Sequence, residues 1–213
     1  MDRIAKRRKD ARRTPSYNGG PSDRGNPMTE PVFETERLTV RRWSNSDIRR
    51  VLEIYSHPEV TEHLPECAVA TLDEAETFLQ RRLASYARYG PGYGVWAAAR
   101  KVDGLVVGTV MLKHLPGDAG ALTEDVEVGW RLGRESWGMG YGTEMARGAL
   151  SHGFLHQGES SILAVTEAEN TRSLAVMERL GMVHRGITRA YYGQTCVLYE
   201  MTAERWAALT SAA

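Results

Sequence analysis

Cysteine is scarce in this chain: there are two in 213 residues, Cys67 and Cys196, and neither belongs to a Cys-x-x-Cys pair. A disulfide framework or a zinc ribbon needs more thiols at closer spacing, so both are excluded, and the pattern fits a reducing, cytoplasmic setting. Long apolar runs are also missing. The longest, Leu105 to Leu112, contains Gly108 and Thr109 and falls well short of the ~20 residues a membrane-spanning helix needs. The basic first residues lead into no apolar segment, unlike a secretory signal. Net charge is absent as well, with 27 Lys and Arg against 27 Asp and Glu. That balance disfavours nucleic acid as the main partner. The six histidines show no ligand spacing such as His-Glu-x-x-His, so no metal is expected.

What is present suits one soluble domain. Residues are 42% hydrophobic and 25% charged, enough to build a core and too apolar for wholesale disorder. The zero charge conceals an asymmetry. Residues 1–30 carry eight basic and four acidic side chains, a net +4, which leaves −4 on the rest. Asn18-Gly19-Gly20-Pro21 and Gly25-Asn26-Pro27 break any helix there, so 1–30 reads as a disordered basic extension and 31–213 as the folded domain. Alternatives for the extension are an arm touching nucleic acid or anionic lipid, and a native start at Met28.

Periodicity then predicts the elements. Arg37–Trp43 alternates as a strand. Ser44 with Asp47 opens a helix through Tyr55 that stops before Pro58, and Thr71 with Glu74 opens another to about Tyr89. Val95–Arg100 and Leu105–Leu112 form a hairpin about Asp103-Gly104. A strand over Asp125–Leu132 is followed by a helix over Gly142–Leu155 and a strand over Ser161–Thr166. A helix over Asn170–Leu180, ended by Gly181, precedes a strand over Cys196–Met201 and a short terminal helix. The expected fold is α/β (α+β), a mixed, mostly antiparallel sheet with helices on both faces.

The most informative stretch sets Gly138, Gly140 and Gly142 at alternate positions between a strand and a helix. Backbone N–H groups aimed at a phosphate tolerate no nearby Cβ, and the helix N-terminus adds positive potential. The pattern therefore points to an anion site, most naturally a pyrophosphate. A flexible linker fits badly between two regular elements. Thr143-Glu144 lacks the lysine of a P-loop, and threonine at 143 breaks the dinucleotide fingerprint.

Trp137-Gly-Met-Gly-Tyr-Gly142 resembles the acyl-CoA loop of the GNAT acetyltransferase superfamily, Gln/Arg-x-x-Gly-x-Gly/Ala, with Trp137 departing at the first position. Thr35-Glu36-Arg37-Leu38, Arg41-Arg42-Trp43, Asn170-Thr-Arg-Ser173 and Glu178-Arg-Leu-Gly-Met182 are similar to the branch containing the ribosomal-protein-alanine N-acetyltransferases. The resemblance covers roughly Phe33 to Met201. It implies acetyl-CoA as acyl donor, lying between two splayed strands. Its pantetheine would run along the backbone of Trp130, Arg131 and Leu132 and meet Asn170. Its pyrophosphate would sit on Trp137, Gly138, Met139, Gly140, Tyr141, Gly142 and Thr143. Gly129 fits either a bulge or close backbone approach in that strand, or a merely small position.

Acyl transfer from a thioester needs a neutral amine, a polarised carbonyl and a proton for the leaving thiolate. The resemblance places a carboxylate near the acceptor amine, which makes Glu127 the candidate base, acting through a water, with an exposed strand glutamate as the alternative. Asn170 reads as a helix N-cap with Ser173 in the first turn, and the resemblance makes Ser173 a candidate acid. Tyr192, with Tyr191, is a second acid candidate. Cys196 reads as packing. The acceptor wall is expected from Tyr55, His57, His63 and Leu64. The acceptor itself is a primary amine, either a peptide N-terminus or a small molecule, and a homodimer is left open. A catalytically silent acyl-CoA-binding module is the competing reading.

Overall fold

The computed structural model describes residues 30–211, so the expectations for the basic extension and for Met28 lie outside the described residues. Eight strands form one sheet: β1 (Pro31–Glu34), β2 (Leu38–Arg41), β3 (Gly94–Arg100), β4 (Val106–Pro116), β5 (Leu122–Leu132), β6 (Ser161–Thr166), β7 (Val183–Thr188) and β8 (Cys196–Thr202), in the order β1-β2-β3-β4-β5-β6-β8-β7. Every neighbouring pair is antiparallel except β5 with β6. The helices are α1 (Ile48–Tyr55), α2 (Pro58–Thr61), α3 (Leu72–Tyr89), α4 (Tyr141–His152), α5 (Thr171–Leu180) and α6 (Ala203–Ser211).

Strand β3 shows why the sheet is covered on both sides. Trp96 and Ala98 belong to one buried cluster with Met145, Ala149 and Leu150 of α4, whereas Ala97 and Ala99 join Val51, Ile54 and Tyr55 of α1 and Leu79 of α3. A strand buried on both faces reads as an unbroken apolar run rather than an alternating one. Each large apolar side chain buried this way contributes about 1.5–3 kcal/mol.

Local signals set the helix starts. The Asp47 carboxylate accepts the Ser44 N–H at 2.9 Å, and Thr71 Oγ1 accepts the Glu74 N–H at 3.2 Å. Pro58 stops α1 as expected but also opens α2, since proline suits the first turn of a helix. Two strands were not expected, β1 and β7. Both lie at sheet edges, carry no fully buried residue and have irregular register, so they present no apolar alternation to read.

The feature that positions the site is the junction of the two parallel strands. β5 meets β6 only at Glu127 and Leu163. β5 is held along its other edge by β4, and β6 along its other edge by β8. Beyond that register the strands separate, and a cleft opens between their C-terminal halves.

Candidate active site

The cleft has a volume of about 740 Å³. One flank is β5 with the loop that follows it, a second is the end of β6 with the start of α5, and a third is the α2 segment.

The loop after β5 is shaped by backbone requirements. Gly138 and Gly140 have φ of 75° and 80°, in the left-handed region that favours glycine. Gly140 caps α4, and the first intrahelical bond runs from the Glu144 N–H to the Gly140 carbonyl at 3.1 Å. The amides before Glu144 therefore have no intrahelical acceptor and stand at the positive end of the helix. Gly138, Gly140, Gly142 and Thr143 line the cleft, whereas Met139 and Tyr141 are not among its lining residues. Gly142 differs from the other two glycines. A Cβ there would sit 3.5 Å from Leu132 Cδ1, an ordinary contact, so its own chain does not demand glycine.

Met139 and Tyr141 brace the loop from behind. The Met139 carbonyl accepts Arg37 Nη1 at 3.0 Å, and the Arg37 guanidinium lies 4.5 Å above the Tyr141 ring. Glu144, in the first turn of α4, accepts from Thr35 Oγ1 (2.6 Å), the Arg37 N–H (2.8 Å) and Arg37 Nε (2.6 Å). Burial alone would raise its pKa, but these donors hold the carboxyl below the ordinary glutamate value. Thr35 and Arg37, distant in sequence, thereby fix the attitude of the helix end.

Glu127, Trp130, Arg131, Leu132, Trp137, Asn170 and Ser173 all line the cleft. Trp137 donates its indole N–H to the Leu132 carbonyl at 3.1 Å, and Arg172 stacks over its ring at 4.2 Å. Asn170 caps α5, its Oδ1 accepting the Ser173 N–H at 3.1 Å. Gly129 marks no bulge: it pairs regularly with Met111, and a Cβ there would fall 2.2 Å from Met111 Cε. It is small so that the methionine can fold across it.

Glu127 is not an exposed strand residue. It is 3% exposed, and its Oε2 lies 2.9 Å from Lys113 Nζ, directly opposite on β4. Tyr192 donates its hydroxyl to the same oxygen at 2.5 Å, and Lys113 Nζ bonds the Tyr192 oxygen at 2.6 Å. Lys113 had no motif to reveal it. Its one signal is a lysine between Leu112 and Leu115 in a mostly apolar strand. Tyr192 is not among the cleft-lining residues, and it sits at φ 58°, a strained backbone for a bulky side chain. Burial, together with the adjacent Glu127 charge, pushes its phenol well above the ordinary value. This geometry makes Tyr192 a partner of Glu127 and a poor independent acid. Tyr191 is similarly committed to Asp125 Oδ2 at 2.7 Å, its phenol pushed up to about 12 by burial and that contact. Cys196 is 2% exposed and burial raises its thiol pKa, as packing requires.

Of the residues expected on the acceptor wall, His63 and Leu64 line the cleft, but Tyr55 and His57 do not. Tyr55 is fully buried, its hydroxyl 2.6 Å from Thr109 Oγ1. Glu59 and Val60 take their place, because α2 turns the chain between His57 and His63. His63 Nδ1 lies 2.8 Å from Glu167 Oε2, tying this segment to the loop after β6.

Splayed parallel strands beside a helix N-terminus, where amides lack intrahelical acceptors, form a cleft with the chemistry of an anion site. The chain belongs to the GNAT acetyltransferases: the family model for the acetyltransferase (GNAT) domain matches residues 37–183. It is an acyltransferase enzyme, and its family uses acetyl-CoA as donor. The chain is 27% identical over 157 residues, 74% of its length and 85% of the relative's, to the uncharacterized N-acetyltransferase p20 of Bacillus licheniformis. Among solved structures it resembles a GNAT-family acetyltransferase from Bacillus anthracis, with TM-score 0.65 and 24% identity over 81% of this chain and 98% of that one. It also resembles a GCN5-related N-acetyltransferase from Brucella melitensis, with TM-score 0.69 and 19% identity over 87% and 85% of the two chains. At these identities the structural likeness speaks for the fold. Among the described residues no helix is long and apolar enough to cross a membrane.

Proposed function

We propose that this enzyme transfers an acetyl group from acetyl-CoA to a primary amine, a protein N-terminal α-amine or a small-molecule amine, by direct attack within a ternary complex. The observation that carries this reading is the meeting of the glycine loop, Ser173 and Glu127 on one cleft that Glu59, Val60, His63 and Leu64 also line. Acetyl-CoA supplies the activated acyl group as a thioester. The chain contributes position, proton handling and charge.

The amides from Gly138 to Thr143 hold the pyrophosphate at the α4 N-terminus. The backbone of Trp130 to Leu132, with Asn170, aligns the pantetheine arm. Positioning of this kind lowers a barrier by about 7–11 kcal/mol, whereas a single general base contributes about 10²–10⁴-fold. The scaffold therefore outweighs any one acid or base. Glu127 receives the amine proton through a water. Its carboxylate is paired with Lys113, and the reaction suits an acceptor that is partly neutral near pH 7. An α-amine, with a pKa of about 7.7–8.0, meets that condition far better than a lysine at about 10.4. Ser173, in the first turn of α5, hydrogen-bonds the departing sulfur and relays it a proton from solvent water, which restores the serine hydroxyl. Two free cysteines, both buried, suit a cytoplasmic location.

The test is release of free CoA thiol by purified protein given acetyl-CoA and a panel of amines. Release with α-amines and not with their N-methylamide-blocked, acetyl-capped counterparts supports the reading. Release only with lysine side chains overturns the acceptor assignment.

A further inference from the structure

The charges along the cleft are not balanced. Its two lining carboxylates are already occupied, Glu127 by Lys113 and Glu59 by Arg134. Arg131 also lines the cleft, and among the described residues it makes no ion pair. The residue as a whole is half-buried, and its guanidinium lies 5.3 Å from the Tyr55 ring centroid, between Tyr55 and Cys67, both buried. Arg172 and Arg179 line the cleft too, but both are exposed on α5, where water solvates them. A guanidinium taken out of water without an anion is costly. A cleft that holds one in this way is complementary to a negative charge that arrives with a ligand.

Strand alternation decides which ligand. Trp130 and Leu132 face the glycine loop, since a Cβ on Gly142 would approach Leu132 Cδ1 at 3.5 Å and Trp130 Cδ1 at 3.9 Å. Residues at alternate positions point the other way. Glu127 meets Lys113, Gly129 lies under Met111, and Arg131 reaches toward Tyr55 on α1. Arg131 thus lies on the opposite sheet face from the phosphate cradle, on the face that carries Glu127.

From this we infer that the acceptor is an amine that also bears a carboxylate, and that the Arg131 side chain recognises that carboxylate. This rests on the acetyltransfer reading of the same cleft, and it gives Arg131 a side-chain role distinct from its backbone's place beside the pantetheine arm. The planar guanidinium matches a carboxylate with two parallel N–H donors. The same charge pattern disfavours polycationic amines, which would meet a guanidinium and, among the described residues lining the cleft, no unpaired carboxylate. Amino acids and short peptides with an acidic side chain beside the N-terminus carry the required pair of groups.

The experiment is calorimetric titration of CoA-saturated protein with matched probes: alanine against alaninamide, 4-aminobutanoate against 4-aminobutanamide, and Ala-Asp-amide against Ala-Asn-amide. At least one carboxylate is expected to bind about tenfold or more tightly than its amide. In Arg131→Met that preference disappears while CoA affinity stays within about twofold; Arg131→Lys retains only part of it. The wild-type comparison does not depend on the variants folding. Equal binding within every pair, or binding of no probe, overturns the inference. So does an Arg131→Met variant that loses CoA in parallel, because the guanidinium then serves the donor. Because the readout is binding, a carboxylate preference without CoA release from acetyl-CoA contradicts the catalytic reading and leaves this one standing.

Discussion

Lys113 and Glu127 face each other across β4 and β5, and their charged ends meet at 2.9 Å with both side chains buried. The pair stands where the two parallel strands begin to separate, so the candidate base arrives in the cleft with its charge already matched. Tyr192 completes the cluster from a strained backbone position. Strain of this kind persists only where surrounding contacts over-determine it.

Removing one partner of a buried ion pair strands the other charge. Lys113→Met is therefore expected to destabilise the protein by about 3–5 kcal/mol in urea unfolding. Lys113→Met combined with Glu127→Gln should recover a large part of that loss, because neither charge then remains. Glu127→Gln alone should lower kcat by about 10²–10⁴-fold with a small change in KM. An unchanged kcat excludes Glu127 as the base.

Gly140→Asp separates folding from donor binding. Aspartate enters the left-handed region more readily than most residues, but a φ of 80° still strains it and its Cβ would sit 3.4 Å from Arg37 Nη2, so a modest drop in melting temperature is expected. Acetyl-CoA binding should disappear at temperatures where the variant is still folded, because the carboxylate adds negative charge at the phosphate cradle. Gly142→Ala makes only ordinary contacts at 3.5 Å or beyond and should fold normally.

Glu144 supplies a pH test of the brace. Its folded pKa lies below the ordinary 4.5, so its contribution to stability is complete above that value and is lost as pH falls through the folded pKa. Glu144→Gln should be less stable than wild type at pH 7, and the difference should shrink steadily in acid denaturation below about pH 4.5. A gap independent of pH would mean that the Arg37 contact adds nothing.

His152 also costs stability in acid, but over a higher pH range, because its ordinary pKa is higher. Burial holds its pKa below the ordinary 6.5. Its Nε2 lies 3.0 Å from the Gly92 carbonyl, its Nδ1 is buried without a partner, and the His156 ring lies 5.5 Å away. Protonation would bury an N–H with no acceptor. Thermal stability should therefore decline as pH falls from 6.5 toward the lower folded value, and His152→Gln should flatten that slope.

Much of the fold was legible because its signals are local. The Thr71 cap, the Asp103-Gly104 hairpin, the Ser161–Thr166 strand and the Gly181 stop each reside in a few adjacent residues. The glycine loop was legible for the same reason. What escaped depends on partners far along the chain. β1 and β7 become strands through neighbours rather than their own pattern, and Lys113 matters because register sets it opposite Glu127, fourteen residues on. Arg131 was assigned through its backbone, since one strand's sequence does not tell which face meets the phosphate cradle. Tyr55 and His57 were expected to line the cleft, and Glu59 and Val60 do so instead because they lie on the short helix α2.

The central claim is acetyl transfer to an amine in this cleft. Its most direct measurement is an acceptor screen by mass spectrometry, with purified protein, acetyl-CoA, short peptides, ribosomal proteins and small amines, and with free CoA thiol quantified in parallel. The account predicts one added acetyl group on an α-amine, matched by equimolar CoA and absent with Gly140→Asp. Binding of acetyl-CoA without acetyl transfer to any amine would contradict it and return the chain to the silent acyl-CoA-binding reading.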